Sequence, residues 1–133
     1  MHLIVCIDDR DGIAFCGRRL SRDREVSAHI LSLAAGCNLW MHPYSAQLFP
    51  NAVVLSDPEF LSKAQSGDYC FSETTPLPDR LDNLESVILY HWNRSYPSNL
   101  RFPRSLIENM KLVYTEDFPG NSHDNITMEQ YTL

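Results

Sequence analysis

A chain of 133 residues, 44% apolar and 21% charged, fits one domain able to bury a core without metal or disulfide staples. Its net charge of −6 argues against a general nucleic-acid backbone binder. No apolar run approaches the ~20 residues of a membrane span, so neither nucleic acid nor membrane is an expected partner. The N-terminus lacks the basic, apolar and cleavage regions of a secretory leader, and a cytoplasmic protein is expected. Cys6, Cys16, Cys37 and Cys70 contain no Cys-x-x-Cys pair and three lie in or beside strand-like runs. Buried free thiols, rather than a structural zinc site, follow.

Leu3 to Ile7 is an apolar, β-branched run, which predicts a strand covered on both faces. Asp8-Asp9-Arg10-Asp11-Gly12 ends it in a charged turn, and a loop of about a dozen residues leads to Ser21, a length often tied to function. A helix is expected from Ser21, its cap, with Asp23 and Glu25 favouring the positive end of the dipole. Val26, Ile30, Leu33 and Ala34 form its buried stripe, His29 is off that stripe and solvated, and Gly36 stops the helix. Cys37–His42 and Ala52–Leu55 read as strands. Asp57-Pro58-Glu59 opens a helix to Gln65. Asp68–Glu73, Ser86–Trp92 and Lys111–Thr115 read as further strands. Pro97 and Pro103 keep Asn93–Arg104 irregular. Ile126–Tyr131 runs back antiparallel as an edge. Strands alternating with helices give a single α/β domain over residues 1–133, a mostly parallel sheet with helices on both faces and an antiparallel C-terminal strand.

The opening order of strand, long loop and helix resembles that of dihydrofolate reductase, through Ile7-Asp8, Gly12-Ile13-Ala14 and Cys16-Gly17-Arg18. Leu39 to Ser45 and Ala52 to Ser56 resemble its next two strands. Thr115 and Gly120-Asn121-Ser122-His123 resemble its threonine strand and Gly-Asp-Thr-His segment. The resemblance implies a reductase-like fold, a carboxylate on the first helix to orient a pterin, and a dinucleotide site. The carboxylate's position falls on Val26, with Asp23 and Glu25 near but out of register. His91-Trp92-Asn93-Arg94 stand where adjacent glycines would admit the dinucleotide, and His42 and Ser45 replace a phosphate-side glycine and threonine. No cofactor is therefore expected. In such a fold Asp8, Arg22, Asp23, His91, Trp92, Asn93, Arg94 and Thr115 would gather at one cleft. Trp92 either plugs that cleft or stacks on a planar ligand beside the arginines. A non-catalytic module binding a small molecule or a protein is the leading expectation, and NADPH-dependent pterin reduction is the alternative.

The segments GDYCFSE, VILYHWNRSYP and YTEDFPGNSHDNIT also resemble a group of short bacterial proteins of unproven activity, some carrying the name ribonuclease Z. That name implies a two-zinc endonuclease with a His-x-His-x-Asp-His loop. His2, His29, His42, His91 and His123 are isolated, so no metal site is expected. The neighbours Ser122-His123-Asp124 cannot form a catalytic triad, whose members converge from separate parts of a fold. They read as a polar hairpin loop.

Overall fold

The computed structural model describes all 133 residues. Seven strands build the main sheet in the order β5-β4-β6-β1-β7-β10-β9. These are β1 (His2–Ile7), β4 (Leu39–Met41), β5 (Leu55–Ser56), β6 (Tyr69–Ser72), β7 (Ser86–His91), β9 (Lys111–Phe118) and β10 (Ile126–Thr132). β1 pairs in parallel with both β6 and β7, and β4 pairs in parallel with β5 and β6. Only β10 runs against its neighbours. It lies inside the sheet, between β7 and β9, so the edge is β9 and not the C-terminal strand that the sequence pattern placed there.

Side chains alternate across a strand, and β1 uses both faces. Leu3, Val5 and Ile7 enter one core, whereas Ile4 enters the other and Cys6 packs against it. The first core lies under α3 (Phe60–Lys63), a 3-10 turn at Arg104–Leu106 and a small second sheet. That sheet joins β2 (Gly12–Phe15) to β3 (Arg18–Arg19) and β8 (Leu100–Arg101). The long loop after β1 and the proline-bearing segment after β7 thus pair with each other. The second core lies under α1 (Arg24–Leu33), which buries Val26 and Ile30.

Several elements are shorter than their sequence patterns. α1 begins at Arg24 with Asp23 as its cap, three residues after Ser21. The helix expected over Pro58–Gln65 is the single turn α3, which ends where Ala64 becomes extended at ψ 140°. A further turn, α2 (Pro43–Ala46), follows β4 with His42 as its cap. All four cysteines are free. Cys70 is buried, but Cys16 and Cys37 are exposed.

Candidate functional site

The N-terminus of α1, the end of β7 and the β9–β10 hairpin meet on the α1 side of the sheet. Asp23 is the centre of this junction. Its carboxylate accepts from Glu25 N at 2.9 Å, closing the helix cap, and from Asn121 N at 2.9 Å and Ser122 N at 2.8 Å in the hairpin. His123 Nδ1 lies 2.8 Å from Asp23 Oδ2, and Ser122 Oγ donates to the same oxygen at 3.2 Å. Burial alone would raise the Asp23 pKa. The N–H of Asn121, the His123 ring and the N–H groups of Ser122 and Glu25 outweigh it and hold the carboxyl well below the usual range. The hairpin approaches this closely because residue 120 is glycine. A Cβ there would stand 2.6 Å from Asp23 Oδ2 and 2.8 Å from the His123 carbonyl oxygen.

His123 is only 4% exposed and stacks on the equally buried Trp92, centroids 4.7 Å apart. With Nδ1 donating to an ionised carboxylate, Nε2 of the neutral ring is an acceptor. Two hydroxyls face it, Ser21 Oγ at 3.0 Å and Tyr96 Oη at 3.2 Å. Tyr96 is held there by Asp8, whose carboxylate accepts from the N–H groups of Arg10, Gly12 and Tyr96. Burial works to raise the Asp8 pKa, and those three backbone donors bring it below the ordinary value.

Two spaces adjoin this junction. A crevice between β1, β6 and α1 is bordered by Cys6, Val26, Ile30, Phe71, Glu73 and Trp92, and encloses only about 10 Å³. Glu73 closes its far side, held by both arms of Arg19 at 2.9 and 3.1 Å and by Ser45 Oγ at 2.8 Å, with Arg19 lying over the Tyr44 ring. Outside the crevice is an open basin of about 400 Å³, bordered by Arg22, Arg24, Ser27, Gln47, Asn121 and Ser122. Arg24 donates to the Asn121 side chain at 3.0 Å; neither Arg22 nor Arg24 has a carboxylate partner.

Of the residues expected at one cleft, Asp23 and Trp92 meet through His123, and Arg22 borders the basin. Asp8 acts one step away, through Tyr96. Asn93 adopts φ 57° and donates to Asn125 O and Thr127 Oγ1, tying the end of β7 to the hairpin. Arg94 is exposed and reaches the Ser122 carbonyl at 3.4 Å. His91 and Thr115 do not join them. His91 pairs with Glu129 on the sheet face away from α1, and Thr115 stands opposite Glu129 on that same face. His29 is not solvated as expected: it stacks on Phe118 and contacts Tyr90 Oη at 2.6 Å and Glu116 at 3.3 Å. Ser21, Tyr96, Glu73 and His123 escaped the sequence reading. Of these only His123 carries a signal, and its partners Ser21 and Asp23 are some 100 residues distant. No three His, Cys, Asp or Glu side chains are grouped so as to hold a metal ion.

No family model and no curated protein matches the sequence. A dihydrofolate reductase from Enterococcus faecalis, solved with NADP(H) and RAB-propyl, superposes with a TM-score of 0.69. The match covers 98% of this chain and 94% of that one at 11% identity. The shared architecture extends over the whole chain while the side chains have diverged, and the chain has a dihydrofolate reductase-like fold.

Proposed function

We propose that this chain is a binding module for a small anionic metabolite, seated in the basin beside Arg22 and Arg24. The observation that carries the reading is the contrast between the two spaces. The crevice, at about 10 Å³, has room for no more than one water. The basin, at about 400 Å³, lies in the range of small-molecule sites and carries two guanidinium groups free of carboxylates. Its other polar borders, Ser27, Gln47 and Asn121, can fix a ligand's orientation through directed hydrogen bonds. The net charge of −6 weighs against nucleic acid as the partner.

Pterin reduction is the less favoured reading. Asp23 is the acid nearest the crevice, yet five donors already occupy its two oxygens. A pterin would have to displace both those donors and Trp92.

A thermal-shift screen of the purified chain tests the proposal. Ligand at 100 times its Kd adds roughly 2.7 kcal/mol, enough to raise Tm by about 10 °C for a chain of this size. Carboxylated or phosphorylated metabolites should give that shift, and Arg22→Ala and Arg24→Ala should each weaken binding about tenfold. A shift with NADPH or folate that survives both substitutions overturns the proposal.

A further inference from the structure

We propose that Ser21, His123 and Asp23 form a hydrolytic relay that cleaves an ester or thioester of an anionic acyl group. The identity of the acyl group rests on the basin reading above; the relay itself stands on its own geometry. The sequence neighbours Ser122-His123-Asp124 cannot converge, but the fold brings His123 against Asp23, the cap of α1, and Ser21, two residues before that cap. Asp23 Oδ2 meets Nδ1 at 2.8 Å and Ser21 Oγ meets Nε2 at 3.0 Å. That connectivity fixes the tautomer in which Nε2 is free to take a proton from the serine. Three backbone N–H groups hold the carboxylate still, and Trp92 holds the ring by stacking. Ser21 is half-buried and borders the crevice, and its chain neighbours Arg22 and Asp23 border both the crevice and the basin.

Tyr96 completes the set. Its hydroxyl faces the same Nε2 at 3.2 Å, and in the relay it is assigned as a donor to the acyl oxygen that becomes the oxyanion when Ser21 attacks. The backbone N–H groups of Arg22 and Asp23 donate to nothing in the protein and are two further donors beside Ser21. In the first step Ser21 Oγ bonds to the acyl carbon as Nε2 takes its proton. The alcohol or thiol then leaves with that proton from Nε2. Water attacks the acyl-serine with Nε2 again as base, releasing the carboxylic acid and restoring Ser21. No cofactor or oxidant enters the balance.

A purely mechanical clasp between hairpin and helix would use the same hydrogen bonds but would need no nucleophilic oxygen, so reactivity separates the two. The full chain is treated with a fluorophosphonate probe and, separately, with 4-nitrophenyl acetate and 4-nitrophenyl hemisuccinate. Phosphonylation of Ser21, located by peptide mass spectrometry, and release of nitrophenolate are expected. Ser21→Ala should abolish both while circular dichroism is unchanged, and His123→Gln should lower the rate by about 10³-fold or more. Tyr96→Phe should lower kcat with little change in KM. An unlabelled folded chain, or a label on Ser122 instead, overturns the relay. Labelling of Ser21 without preference for the hemisuccinate over the acetate upholds the relay and sinks the anionic basin. A metabolite shift in Tm with no reaction at Ser21 does the reverse.

Discussion

Asp23 shows how one carboxylate can serve a helix and a distant hairpin together. Removing its charge by Asp23→Asn leaves the N–H groups of Asn121 and Ser122 and the His123 ring with a weaker acceptor. We expect a loss of roughly 2–4 kcal/mol, read from urea denaturation at neutral pH. The pH dependence has a definite sign. Because the folded carboxyl is held below its unfolded value near 4, its contribution is fully present above about pH 4 and is lost as pH falls through the folded pKa. The native chain should therefore weaken in acid below about pH 4, and Asp23→Asn should lack that part of the decline. The sequence presented Asp23 as an ordinary acid in a first helical turn. A solvated dipole acid and a buried clasp have the same local pattern; what separates them here is partners 98 to 100 positions away.

At the scale of elements, legibility followed apolar burial. β1 and β7 bury side chains on both faces, and their unbroken apolar runs marked them in the sequence. β2, β3 and β8 are two to four residues long and exist because the β1–α1 loop pairs with the segment after β7. No periodicity builds up over so few residues. Nor does one strand's sequence reveal its neighbours, which is why the pattern of Ile126–Tyr131 reads as an edge although β10 lies inside the sheet. The junction of loop and segment depends on Gly12, where a Cβ would stand 2.5 Å from Ser98 Oγ and 2.9 Å from Asp8 Oδ1. Gly12→Ala should cost about 1–3 kcal/mol in equilibrium unfolding. It should also loosen the segment that carries Tyr96, seen as faster amide exchange of Tyr96, whose N–H is bonded to Asp8.

Across the whole molecule, the sheet separates two apolar cores of comparable size, and only the one under α1 borders the candidate site. Trp92 both belongs to that core and backs His123, so site and core share a side chain. Trp92→Ala should cost about 3–5 kcal/mol in chemical denaturation and enlarge the crevice. Added indole, which matches the deleted group, should recover part of the lost Tm; no recovery would mean that the crevice collapses on itself. The α/β class, the parallel sheet and the reductase-like architecture were legible because they rest on the order of apolar segments. The Ser21–His123–Asp23 constellation was not, because side chains converging through a fold leave no spacing in the chain.

The two tryptophans stand on opposite sides of that sheet. Trp40 packs against the core away from α1 and donates its indole N–H to Asp68 at 3.0 Å, whereas Trp92 is buried in the other core against an imidazole. Each side of the molecule thus carries its own intrinsic fluorophore. With Trp40 replaced by phenylalanine, emission follows the half containing the candidate site; with Trp92 replaced, it follows the half beneath α3. Their unfolding curves would show whether the halves melt as one unit.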